Sequence, residues 1–463
     1  MKLISIALCL LAVAGASAET YFANGIKIGE VDQDSAIIWT RLTQEPALNI
    51  VGAKFIESKA HVVPASKQLP EGKALADMEG AVSGAPGKVR LVWQKKDGKQ
   101  VASDWKSVDA TTDFTAKFEL AGLKAATEYS LRMESDSGTH FNGMFKTAPP
   151  VGEGADVSFA VVTGQDFNRR DDAKKGHKIY PHMQKLGLDF FVHTGDIEYY
   201  DKSQPYATSL EYARFKMARM YGLPNQVAFH SSMPSYFIKD DHDTTKNDAW
   251  PEQAYGELTW NQGLELFREH FPVLDKNYRT IRWGKDLQVW LMEGRDFRSP
   301  NTMKDGPAKS IWGKEQKEWF FRTVKESDAT FKVLISPTPV VGPDRGNKND
   351  NHANVGFKHE GDEIRAFIAS QKNMFVACGD RHWQYVSVDA EIGVKEFSCG
   401  PTSNKHAGGW KNSNVLPEHR YLNVQGGFMT IGVDRRDGKP VLTARHYDVD
   451  GKLCNEDVNQ GEI

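Results

Sequence analysis

Cysteine is scarce in this chain, with four in 463 residues. Cys9 falls in an apolar leader, which leaves Cys378, Cys399 and Cys454. Three thiols close one disulfide at most, and that excludes a disulfide-built scaffold. Pairing of Cys378 with Cys399 on neighbouring strands and a pair of buried free thiols both stay open. An excess of charge of either sign is missing too, since 58 Lys and Arg stand against 61 Asp and Glu for a formal net charge of −3. That balance gives no nucleic-acid-binding signal. Repeats, coiled-coil heptads and long low-complexity tracts are absent. The apolar run Leu3 to Ala14 follows Lys2 and leads to Ala16-Ser17-Ala18, the pattern of a Sec-type signal peptide, residues 1–18, too short for a stable membrane anchor. Cleavage after Ala18 removes Lys2 and takes the net charge from −3 to −4. Cys9 lacks the small-residue context of a lipid-attachment site, so a periplasmic or extracellular location is expected.

At this length two domains are expected. Ala148-Pro149-Pro150-Val151-Gly152-Glu153-Gly154 has the composition of a linker. Before it, the alternating segments Ser35 to Trp39, Lys88 to Trp93, Phe114 to Leu120 and Tyr129 to Met133 predict an all-β sandwich over residues 19–147, fibronectin- or immunoglobulin-like. Leu123 to Tyr129 is similar to the tyrosine corner of such sandwiches, in which the hydroxyl ties back to upstream backbone. Residues 57–87, rich in Gly, Ala and Pro, read as a surface insertion.

Residues 155–463 read differently. Short apolar runs at Val157 to Val162, Leu188 to Val192, Tyr236 to Ile238, Leu287 to Met292 and Met374 to Ala377 each lead into a polar cluster. Helical spacing over Leu210 to Tyr221, Lys314 to Lys325 and Gly361 to Gln371 separates several of them. The alternation predicts an α/β domain whose chemistry lies beyond the carboxyl ends of its strands.

The polar clusters carry a metal-ligand set. A dinuclear hydrolase needs a carboxylate bridging two cations, further ligands on each, and a nearby acid or cation for the leaving group. Asp196, Tyr199, Asp241, Asp380 and His382 can supply the ligands. A phenolate such as that of Tyr199 favours a strongly Lewis-acidic ion such as ferric iron. His242 adjoins Asp241 and suits a general acid or a phosphoryl-stabilising cation. One Asp after a strand reads as readily as a helix cap, but the recurrence at several strand ends favours ligands.

The segments TGQD at 163–166, GDIEYYD at 195–201, DDHD at 240–243, GRDFR at 294–298, WGKEQKEW at 312–319 and GDRH at 379–382 resemble, in order and spacing, the PhoD-type alkaline phosphatases of the calcineurin-like metallophosphoesterase superfamily. IIWTRL at 37–42 extends the resemblance into the N-terminal part, so it covers most of the chain. It implies a four-layer αββα metallophosphoesterase domain and action on phosphomonoesters and phosphodiesters outside the cytoplasm. It also implies ferric iron with calcium as cofactors. Asp196 is then the bridging ligand, with Tyr199 and His382 on the iron and Asp241 and Asp380 on the calcium side. Where the family has a cysteine ligand, this chain has Gly164. Asp166, or a water, is expected to complete that side, making it harder and more tolerant of manganese or zinc.

Arg295 is expected to act in catalysis and, with Arg298, to clamp phosphate oxygens, unless both hold loops through salt bridges. Gln165 is expected to orient a bound water. The polar segments Arg345 to His352 and Ser403 to Trp410 suit an anionic substrate, whether a small molecule or a polymer phosphoester. The expected chemistry is in-line attack of a metal-bound hydroxide on phosphorus, with no protein nucleophile. Hydrolysis of another ester, such as a sulfate ester, and noncatalytic polymer binding are the alternatives.

Overall fold

The structure is a computed structural model that describes residues 18–58, 60 and 62–462. The leader, apart from Ala18, lies outside the described residues. Among these, no helix is long and apolar enough to cross a membrane.

The strands form mixed sheets of nine and seven strands and an antiparallel sheet of five. Val157–Val162, reading VSFAVV, is almost wholly buried, as a β-branched strand covered on both faces should be. It pairs in parallel with Phe190–His193, which pairs in parallel with Pro234–Phe237. In the seven-stranded sheet Leu287–Leu291, Phe331–Ser336 and Met374–Cys378 are also parallel neighbours. Alternate residues separate the cores. Phe159 and Val161 join Val289, Val333 and Ala377 in one apolar cluster between the large sheets, whereas Ala160 and Val162 pack with helical residues such as Met217 and Phe267. Trp290, Leu334 and Val376 meet Phe320 and Ile364 of further helices in another cluster.

The helices follow local signals. Leu210–Tyr221 starts where the Ser209 hydroxyl accepts from the Tyr212 amide and stops at Gly222. Trp260–His270 opens with a Thr259/Gln262 capping box. Lys358–Ala369 starts three residues before the predicted Gly361, because a short 3-10 turn at Val355–Phe357 leads directly into it.

The nine-stranded sheet crosses the predicted linker. Ile26–Gly29 pairs in parallel with Pro234–Phe237 and antiparallel with Ala36–Arg41, which pairs with Thr115–Leu120. Buried polar contacts reinforce the junction: Lys27 Nζ donates to the His270 carbonyl at 2.9 Å, and Arg279 Nε to Glu30 at 2.7 Å. The smaller sheet holds Gly87–Lys95, Glu128–Ser135 and His140–Lys146. In it the Tyr129 hydroxyl accepts from the Lys124 amide at 2.8 Å, the predicted tie-back.

The 57–87 segment departs from a surface insertion. Gln68 and Met78 are fully buried. The Gln68 amide donates to the Val63 and Tyr206 carbonyls at 3.0 and 2.8 Å, so one side chain replaces the backbone ladder that the segment lacks. Cys378 and Cys399 are buried free thiols.

Candidate metal centre

Parallel strands send their carboxyl-end loops to one rim, and here the rims of both large sheets meet. The Asp380 amide donates to Thr163 Oγ1 at 3.2 Å, tying a loop of one sheet to a loop of the other. Gly379 permits this approach, because a Cβ there would lie 2.6 Å from both Thr194 Oγ1 and the Pro337 carbonyl. Asp196 and Asp380 both have left-handed backbones, with φ of 54° and 62°. Asp tolerates that conformation better than most residues.

The candidate ligands converge on Asp196. Tyr199 Oη donates to Asp196 Oδ2 at 2.8 Å and lies 2.9 Å from His382 Nε2, which is itself 3.6 Å from that oxygen. Asp196, Asp241 and His242 bring one ligand atom each within 4.8 Å of one another, and so do Asp196, Asp240 and Asp380. Asp196 is thus common to two groups, the arrangement a bridging carboxylate requires. Asp196 Oδ1 and Asp240 Oδ2 are buried without a hydrogen-bond partner among the described residues. Burial pushes Asp196 up to about 6 against the pull of His242, and pushes Asp380 up to about 7 against Arg381. A cation between them restores the charged forms. The donor set, oxygen-rich with a phenol and an imidazole, therefore fits two metal ions.

His242 stands beside this set. Its Nδ1 lies 2.5 Å from Asp201 and its Nε2 2.9 Å from Lys202 Nζ. With Nδ1 donating to the carboxylate, Nε2 accepts from the ammonium. Burial alone would lower its pKa, but Asp201 and Asp241 outweigh it and push it up to about 9. The 2.9 Å contact describes the neutral ring, whereas the two carboxylates favour the charged one.

The remaining predicted residues stand outside the ligand cluster. Arg295 is fully buried behind it, with Nε 2.6 Å from Asp240 and Nη2 3.7 Å from Asp241. Arg298 donates to Asn301 Oδ1 at 2.8 Å and to the Asp350 carbonyl, holding a loop. Asp166 caps the turn Phe167–Arg169, accepting from Asn168 N at 2.9 Å, while its other oxygen meets Ser203 at 3.2 Å and Arg169 at 3.3 Å. Gln165 accepts from the Tyr180 hydroxyl and is fully buried.

A cleft of about 280 Å³ opens over Asp196 and Asp380. Arg169, Lys202, Arg345 and Lys348 line it together with His242, His382 and His406. Arg345, Lys348 and His406 come from the two polar segments singled out in the sequence. Asp240, Lys202 and Arg169 were not anticipated. The doubled acid in DDHD was the available signal for Asp240; nothing in spacing marked the two cations.

Comparison with known proteins agrees with this geometry. The family model for the PhoD-like phosphatase matches residues 159–425, and that for the PhoD-like phosphatase N-terminal domain matches 9–149. Alkaline phosphatase D of Bacillus subtilis is 22% identical over 480 residues, covering 89% of this chain and 75% of that protein. Among solved structures, PhoD superposes with a TM-score of 0.73 at 19% identity, covering 95% of this chain and 89% of that one. A purple acid phosphatase from yellow lupin (Lupinus luteus) seeds gives 0.63 at 12% identity, covering 94% and 73%. With more than half of its length matched by the catalytic family model, the chain belongs to the PhoD-like phosphatases, hydrolases of phosphoric ester bonds.

Proposed function

We propose that this chain is an exported phosphoesterase that cleaves phosphomonoesters, phosphodiesters or both at a dinuclear centre bridged by Asp196. The observation that carries the reading is the convergence of Tyr199, His382, Asp240, Asp241 and Asp380 on the buried Asp196 carboxylate, beneath a cleft lined by four cationic side chains. When bound, the cations polarise the phosphoryl oxygens and activate the attacking water. By the resemblance, Tyr199 and His382 would hold one ion, and Asp241 and Asp380 the other. Ferric iron with calcium is the proposed pair.

The chain's own residues supply the rest. Lys202, Lys348, Arg345 and Arg169 draw the anionic phosphate ester into the cleft and neutralise it there. An anionic ester would compete for Lys202, which would leave His242 Nε2 free to take a proton from solvent, favoured by Asp201 and Asp241, and pass it to the departing oxygen. Asp201 holds the opposite side of the ring. Arg295 is read as a positioning residue that sets Asp240 and Asp241, and Arg298 as a brace for the 350 loop. The large sheets with their outer helices are read as the four-layer αββα core, and the strands within 87–146 as the immunoglobulin-like part. Export rests on the leader.

Hydrolysis of a nitrophenyl phosphate, its diester and the matching sulfate ester tests the reading. The account expects turnover of at least one phosphate ester that exceeds turnover of the sulfate. Sulfate preference, or no turnover by metal-loaded protein, would contradict it.

A further inference from the structure

We propose that His406 binds the same cation as Asp196, Tyr199 and His382 through its Nε2, providing the ligand that Gly164 cannot. This rests on the metal-dependent phosphoesterase reading above. Gly164 faces His382 of the ligand cluster. A Cβ built on it would lie 3.2 Å from His382 Cδ2 and 3.3 Å from Nε2, so a side chain here would enter the ligand cluster, and glycine brings none. Asp166 turns its oxygens to Asn168, Ser203 and Arg169 at the turn it caps, and is not grouped with Asp196 among the candidate ligands.

His406 is placed to provide that ligand. Its Nδ1 is 3.0 Å from the Gly164 carbonyl oxygen. A carbonyl only accepts, so Nδ1 carries the proton and Nε2 of the neutral ring keeps its lone pair. Metal-bound histidines commonly have this arrangement, with the far nitrogen anchored on a carbonyl. No hydrogen bond to Nε2 occurs among the described residues. The ring lies 4.1 Å from that of His382 and 4.9 Å from that of Tyr199, centroid to centroid. It is only 4% exposed and still lines the cleft. The carbonyl that fixes the tautomer belongs to the same residue whose missing side chain leaves the ligand place open. The cation would then meet two imidazoles, a phenolate and a carboxylate, a borderline nitrogen and oxygen set with no soft donor.

X-ray absorption of the iron-loaded chain counts imidazoles on the iron directly. Two are expected in the unaltered protein. His406→Gln keeps an amide donor for the Gly164 carbonyl while removing the ring; one imidazole should remain, with iron retention against a chelator weakened tenfold or more. A count of one in the unaltered protein, or an unchanged count in H406Q, would overturn the proposal and leave the ring a mere packing partner of His382. A protein that takes up no metal at all would instead overturn the phosphoesterase reading.

Discussion

Arg295 shows how burial bears on a role that residue type leaves open. Its guanidinium is fully buried, bonded to Asp240, close to Asp241 and donating to the Ala249 carbonyl at 3.1 Å. Replacing it with Met takes away the partner that favours the charged form of Asp240 against burial, a loss of about 3–5 kcal/mol for a broken buried pair. We expect R295M to lower thermal stability and metal retention together, measured by calorimetry and metal analysis. A raised KM at unchanged stability would restore the phosphate-clamp role. GRDFR located this arginine in the sequence but could not say whether it faced solvent or carboxylates. Asp166 has the same ambiguity, since a carboxylate after a strand caps a turn or binds a metal with the same letters. That Asp196, Tyr199, Asp241, Asp380 and His382 lie together was legible because each follows an apolar run, and parallel strands carry such endings to one rim.

At the scale of elements, the helix Leu210–Tyr221 holds the loop of residues 197–203. Lys216 Nζ donates to the carbonyls of Tyr199, Lys202 at 2.8 Å and Ser203 at 3.1 Å, and lies 3.6 Å from the buried Glu198 carboxylate. Burial pulls its pKa down to about 8 although Glu198 favours the charge. Removing the ammonium strands those carbonyls, each at about 1–3 kcal/mol when left buried and unpaired. Lys216→Met should therefore speed amide exchange across residues 197–203 and lower the melting temperature. Unchanged exchange there would show that the loop holds itself. The bounds of this helix were readable from Ser209 and Gly222. That a lysine points inward was not, because periodicity treats Lys as solvent-facing. Gln68 misleads in the same way, since its polar composition conceals a buried side-chain network.

Across the whole molecule, the sheet that carries the site runs on into strands from the first 41 residues. Glu30 and Lys27 bury their charged groups against Arg279 and His270. Unfolding the N-terminal part would strand these groups and uncover an edge of the catalytic sheet. A single calorimetric transition is expected for residues 19–463; two well-separated transitions would contradict that coupling. Composition marked the loop at 148–154, but strand pairing across it is a long-range choice that no local pattern records. The central claim is a dinuclear centre bridged by Asp196. Metal analysis of the purified protein and of Asp196→Asn, with phosphate-ester hydrolysis measured on the same samples, tests it most directly. The account predicts about two ions per chain in the unaltered protein, with loss of metal and of turnover in D196N. Full metal content and undiminished hydrolysis in D196N would contradict it.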